Sequence, residues 1–209
     1  MATVKLFGDS RSGNCYKAAL LMRLIRTPFE WLETDVVQGH TRTDEFLALN
    51  PNGKVPFMAW ADGRTLAESN AMLLHLSRDT DYFPGDPWAQ AQVYQWLFFE
   101  QYSHEPFIAV VRFIVCLARR ETEEAERLGV LRKKGYEALA VMEKELQNST
   151  FLVAGEFSVA DIALYAYTHV AEEGGFDLGP YPDVRNWLAR VSDQQGVVPM
   201  EQACRTFSV

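Results

Sequence analysis

Three short stretches carry residues whose types and spacing can do chemistry. The first, Asp9-Ser10-Arg11-Ser12-Gly13-Asn14-Cys15, puts two hydroxyls, an amide and a thiol into one polar turn. A hydroxyl at a helix N-terminus, flanked by free amides, donates a hydrogen bond to a bound thiolate and lowers the thiol's pKa, because positive potential favours the charged form. Ser12 and Cys15 are the members of this stretch that could act on or as a thiolate. Cys15 falls three residues later, where helical spacing turns it toward the core with Ala18 and Met22, so a buried, inert thiol is expected. The second stretch is Val55-Pro56. A proline at a strand start cannot donate to the ladder and marks an edge, a bulge or a cis bond. A cis bond would turn the Val55 amide and carbonyl outward, toward an extended peptide ligand. The third, Glu68-Ser69, has two open readings. Ser69 caps a helix in the ordinary way, or the helix start takes a carboxylate while Glu68 accepts an ammonium, which suits a zwitterionic amino-acid head.

These groups need elements to hold them. Thr3 to Phe7 suits a strand, and Cys15, Ala18, Met22 and Ile25 recur at helical spacing after the polar turn. Phe29 to Val36 suits a second strand, parallel to the first across the helix. Residues 55–60 and 64–66 read as a hairpin turned by Asp62-Gly63, a dipeptide that supplies positive φ angles. Ser69 to Arg78 reads as a helix with Ala71, Leu74 and His75 on one face. The order β-α-β-(loop or short helix)-β-β-α is thioredoxin-like, so the fold class is an α/β thioredoxin-like N-terminal domain followed by an all-α C-terminal helical domain. The boundaries are 1–79 for the first, 80–87 for a linker rich in proline and glycine, and 88–209 for the second. Helices are expected over about 88–118, 123–147, 159–172 and 182–192.

The helix from Val159 carries a local signal. Ser158 and Asp161 have capping-box spacing, and Phe157 and Ile162 can staple the chain entry. Their role is structural, and Asp161→Ala is expected to cost about 1 kcal/mol of stability, the value of a cap, without touching ligand affinity.

Bulk properties exclude several classes. A net charge of −8 repels a phosphate backbone, so nucleic acid is not an expected partner. No apolar run reaches membrane-spanning length, and the first ten residues carry Lys5 and Asp9 rather than a secretory signal. The three cysteines, Cys15, Cys116 and Cys204, are widely spaced and without Cys/His clustering. Neither a disulfide framework nor a metal site is expected, and a cytoplasmic protein fits. His75 and His169 are read as structural.

Taken in order, Lys5-Leu6-Phe7-Gly8, the Ser12 loop, Leu49-Asn50-Pro51-Asn52-Gly53-Lys54-Val55-Pro56, Glu68-Ser69-Asn70-Ala71 and Phe157-Ser158-Val159-Ala160-Asp161 resemble the cytosolic glutathione transferase superfamily over essentially the whole chain. The resemblance implies that Pro56 is cis, that Val55 pairs with the cysteinyl backbone of glutathione, and that Glu68 and Ser69 hold its γ-glutamyl end. Ser12 takes the place of the activating hydroxyl in serine-type members, with Ser10 and Asn14 as rivals, since related bacterial loops use asparagine or threonine. Lys54 matches a position that reaches the glycyl carboxylate, with His40 assisting. The electrophile would lie against the helix beginning near Trp88, where Tyr102 and His104 are its wall among core aromatics. The implied activity is conjugation of glutathione, as co-substrate and with no other cofactor, to a small electrophile by a homodimer. Alternatives on the same fold are a glutathione-dependent disulfide reductase or peroxidase, a maleylacetoacetate-type isomerase and a non-catalytic binding protein. Ser12-Gly13-Asn14 departs from the Ser-Ser-Cys-type loop of the isomerases.

Overall fold

The computed structural model describes residues 4–208, so Thr3, expected in the first strand, lies outside the described residues. The chain divides into two compact units, one reaching Thr80 and joined by the segment from Gln195, the other running from Asp81 to Gln194.

The first unit is built on strands β1 (Val4–Gly8), β2 (Phe29–Glu33), β3 (Phe57–Ala59) and β4 (Thr65–Ala67), ordered β2-β1-β3-β4. β1 and β2 are parallel and joined through helix α1 (Gly13–Leu24), while β3 runs antiparallel to both β1 and β4. Helix α2 (Asp44–Leu49) follows β2, and helix α3 (Ser69–Ser77) follows β4. This is the thioredoxin-like arrangement. β1 alternates as a half-buried strand should, with Val4, Leu6 and Gly8 inward and Lys5 outward. Gly8 has no room for a side chain, since a Cβ there would collide with the Trp31 ring and press on the Cys15 sulfur. Every residue of α1 from Cys15 to Met22 is buried, so the helix is enclosed on all faces.

Local expectations need correcting here. The hairpin is turned with only Gly63 at positive φ, +86°. The Gly63 amide closes a turn on the Trp60 carbonyl, and the Trp60 amide bonds the Arg64 carbonyl, which makes a longer connection than a two-residue turn. In α3 the buried face is Met72, Leu73 and Ser77 rather than Ala71, Leu74 and His75, because α3 is seated on α1. The segment from Gln195, expected in the all-α domain, packs with the first unit instead. The Phe29 and Phe207 backbones exchange a pair of hydrogen bonds at 3.0 Å. The Tyr16 hydroxyl donates to the Val198 carbonyl at 2.7 Å, and Arg23 donates to the Ala203 and Arg205 carbonyls while its guanidinium lies 4.8 Å from the Phe207 ring centroid.

The second unit is helical throughout: α4 (Pro87–Phe99), α5 (Glu105–Arg112), α6 (Ala125–Leu146), α7 (Val159–Thr168) and α8 (Pro182–Ser192). A short helix, α9 (Met200–Ala203), belongs to the segment that joins the first unit. The helix expected over 88–118 is interrupted by π-type turns at Glu100–His104 and Phe113–Leu117. Pro106 is the reason at the first interruption: it has no N–H to return to the preceding turn, so the chain widens before it. The core of this unit gathers Ile108, Val111, Ile114, Leu128, Leu139, Phe176 and Leu178. No helix among the described residues is long and apolar enough to cross a membrane.

Candidate functional site

Strand register gathers the three candidate stretches. Phe7 lies opposite Phe57 and Phe57 opposite Ala67. One step further along each strand, Gly8 leads into the Ser12 loop, Pro56 precedes β3 and Glu68 follows β4, so all three segments emerge at one end of the sheet. This is the carboxyl end of β1, where α/β folds present ligand-binding groups.

Ser12 is the N-cap of α1, and its Oγ accepts the Cys15 amide at 3.4 Å. A hydroxyl that accepts one bond still has its proton to donate. Its loop is tightly held. Asp9 is fully buried and takes two bonds from the Arg11 guanidinium, at 2.8 and 2.7 Å, plus the Val36 amide at 3.1 Å. The Arg11 guanidinium also pairs with Asp35 at 2.9 Å. Burial pushes the Asp9 carboxyl up, but the Arg11 and backbone hydrogen bonds outweigh it and hold the group below the ordinary carboxylate range.

The rivals are occupied differently. Ser10 commits its amide and hydroxyl to Glu33 Oε1, at 2.9 and 3.2 Å. Asn14 Oδ1 accepts the Ser69 hydroxyl at 3.2 Å. Cys15 is fully buried, and burial pushes its thiol up to about 12, so it supplies no thiolate at neutral pH.

The Val55–Pro56 peptide bond is cis, as the resemblance implies. Pro56 is buried and Val55 half-buried, and among the described residues neither the Val55 amide nor its carbonyl has a backbone partner. Glu68 sits before α3 at φ 67°, exposed, and its carboxylate makes no ion pair among the described residues. Ser69 does not cap its helix: Glu68 holds the N-cap position, and the Ser69 hydroxyl is turned onto Asn14. The first-turn amides of α3 therefore point to the sheet end without a side-chain cap. Lys54 is exposed, its carbonyl accepting from the Asn50 side chain at 2.8 Å. His40 is exposed in the loop after β2, where its Nδ1 accepts the Asp35 amide at 3.3 Å.

One member of this neighbourhood was not anticipated. Lys17 of α1 is fully buried, with its Nζ 3.4 Å from Ser69 Oγ and 3.3 Å from Asn70 Oδ1. A charged residue inside the otherwise apolar run Cys15–Met22 is the signal that could have found it.

Residues 11–79 match the glutathione S-transferase N-terminal domain and residues 104–195 match the C-terminal domain. The chain belongs to the glutathione S-transferase family. The crystal structure of a glutathione S-transferase from Pseudomonas fluorescens is 50% identical, with a TM-score of 0.92 over 95% of this chain and 99% of that one. The disulfide-bond oxidoreductase YfcG of Escherichia coli is 30% identical over 85% of each chain. A glutathione transferase from Burkholderia graminis, crystallised with two glutathione molecules bound per subunit, shares the fold at 22% identity with a TM-score of 0.82, over 97% of this chain and 88% of that one.

In this transferase-family chain the two expected wall residues part company. Tyr102 is 85% exposed and lines a groove of about 660 Å³ with Phe99, Pro106, Phe107 and Val141. His104 is not part of that groove: it is fully buried, with its Nε2 2.8 Å from Thr168 Oγ1, because the π-type turn before Pro106 swings it into the helical core. Ser158 and Asp161 form the capping box of α7. Among the described residues no cluster of His, Cys, Asp or Glu has the makings of a metal site.

Proposed function

We propose that this chain binds glutathione, holds its thiol as the thiolate and transfers it to a small electrophile. The observation that carries the reading is the convergence of the Ser12 loop, Val55-Pro56 and Glu68-Ser69 on one end of the sheet. The glutathione in the Burkholderia graminis transferase supports the choice of ligand. In this reading the cysteinyl backbone pairs with the Val55 amide and carbonyl. The γ-glutamyl carboxylate meets the first-turn amides of α3 while Glu68 accepts the ammonium. Lys54, assisted by His40, takes the glycyl carboxylate, and Ser12 donates to the sulfur. The thiolate forms a carbon–sulfur bond at the electrophilic carbon, and the displaced group leaves with the electron pair of its broken bond. Rate comes from thiolate held at neutral pH beside its target.

Titration with glutathione at pH 7 is expected to give saturable binding together with new ultraviolet thiolate absorbance, and absence of binding would remove the reading. Glu68→Gln should weaken glutathione by about 10-fold through loss of a charge-assisted hydrogen bond, with the bound thiol's pKa unmoved.

The relation to YfcG favours a second reading, glutathione-dependent disulfide reduction. With Cys15 buried, glutathione rather than the Cys15 thiol would attack the disulfide. Turnover against a panel of halogenated aromatics, epoxides, disulfides and hydroperoxides separates the two, since disulfide turnover exceeding all others selects the second. We further propose a cytoplasmic homodimer, supported by Trp88 and Phe98, each 72% exposed on α4. Light scattering should give twice the chain mass, and Phe98→Glu should shift it toward one.

A further inference from the structure

The buried ammonium of Lys17 lies beneath the start of α3, and we infer that it is a positioning residue for the γ-glutamyl carboxylate of glutathione; this rests on the glutathione reading above. Three observations carry the inference. The side chain is fully buried, so its charge is weakly screened by solvent and acts strongly at short range. Its Nζ reaches Ser69 Oγ and Asn70 Oδ1, at 3.4 and 3.3 Å, and these are the first two residues of α3, a nine-residue helix. Ser69 passes its hydroxyl proton on to Asn14 Oδ1 at 3.2 Å, so Lys17, Ser69 and Asn14 form one relay between α1 and α3.

The relay fixes the Ser69 hydroxyl at the start of a helix whose N-cap residue, Glu68, makes no side-chain cap bond. With its proton on Asn14 and its oxygen facing Lys17, the hydroxyl is turned away from the first-turn amides, which stay directed at an incoming carboxylate. Lys17 therefore acts on the ligand group by orienting Ser69 and Asn70 at the helix start. It touches no ligand atom itself. Through the same relay it fixes the α1 turn that carries Ser12 against the helix that holds the γ-glutamyl end, so the thiol and the amino-acid head are positioned by one buried contact.

The probes are S-methylglutathione and its analogue lacking the γ-glutamyl α-carboxylate, titrated calorimetrically into the full chain. Lys17→Met keeps the length and apolar stem of the side chain and removes the charge. It is expected to weaken S-methylglutathione by about 10-fold, while Lys17→Arg recovers affinity to within about 3-fold. The analogue should bind wild type and Lys17→Met equally, because the group on which the lysine acts is absent. Equal affinity of wild type and Lys17→Met for S-methylglutathione overturns the inference, as does an equal loss for both probes, which marks a purely structural lysine. If Lys17→Met does not fold, Asn70→Ala replaces it: it removes one end of the contact, and the same selective loss is expected, with an unselective one again overturning the inference. Failure of wild type to bind either probe removes the glutathione reading itself, and with it this role for Lys17.

Discussion

Asp161→Ala is expected to lower the free energy of unfolding by at least about 3 kcal/mol, well beyond the 1 kcal/mol or so of an ordinary cap. The carboxylate is fully buried and accepts four hydrogen bonds. Oδ1 takes the Leu152 amide at 3.0 Å and the Trp187 indole at 2.9 Å, while Oδ2 takes the Ser158 amide at 3.0 Å and its hydroxyl at 3.1 Å. Alanine strands the Leu152 and Trp187 donors in a dry interior, each costing about 1–3 kcal/mol, in addition to the lost cap. Urea denaturation measures the loss, and glutathione affinity of the folded fraction should be unchanged. A loss near 1 kcal/mol would mean that the interior relaxes around the missing group.

The same residue gives a pH signature. Burial pushes the Asp161 carboxyl up to about 6, with the four donors opposing the rise. The folded value therefore exceeds the unfolded one, so the folded state binds the proton more tightly. The resulting contribution is fully present below about pH 4 and is lost as pH rises through about 6. Between pH 4 and 7 the difference in unfolding free energy between wild type and Asp161→Asn should move against wild type by up to about 3 kcal/mol. A difference that is flat across that window would show that the donors, not burial, dominate the carboxyl.

What the sequence made legible follows the range of the interactions. Ser158 and Asp161 were readable because a cap is settled within four residues, but the Trp187 bond that multiplies the value of Asp161 spans 26 residues. The hairpin was readable from Asp62-Gly63 and its exact turn was not, since only Gly63 takes a positive φ. Pro106 announced a break that helical spacing alone ran through, and His104 turned inward as a consequence. The segment near Phe207 shows no periodicity, so its pairing with Phe29 had no local signature. Lys17 is the instructive omission. Its burial depends on Ser69 and Asn70, more than fifty residues on, whereas locally it was one lysine in an apolar helix. The motif pieces Val55-Pro56 and Glu68-Ser69 suggested a peptide ligand with an amino-acid head, and the capping role open to Ser69 disappeared once α1 was placed beside it.

Ser12→Ala should reduce kcat/KM for conjugation by about 10- to 100-fold at pH 6.5, the range expected when a hydrogen bond to a charged group, about 1.5–3 kcal/mol, is removed. The loss should fall on the sulfur and not on the peptide: with Val55 and the start of α3 holding the ligand as proposed, Kd for glutathione should stay within about 3-fold. The defect should shrink toward pH 9, where the thiol ionises without help, and the thiolate absorbance of the complex at pH 7 should vanish. Alanine also removes the cap of α1, at a cost of about 1 kcal/mol in stability, and Ser12→Thr separates the two effects by restoring both the cap and the donor. The competing hydroxyl is already distinguishable by its partners. Ser10 gives its proton to Glu33, so Ser10→Ala should leave the thiolate in place. Asn14 accepts from Ser69, so Asn14→Ala should weaken binding of the γ-glutamyl end more than it raises the thiol's pKa. If the absorbance survives in Ser12→Ala and is lost in Asn14→Ala, the activating donor is the amide, and the relay from Lys17 through Ser69 then bears on the sulfur as well as on the carboxylate.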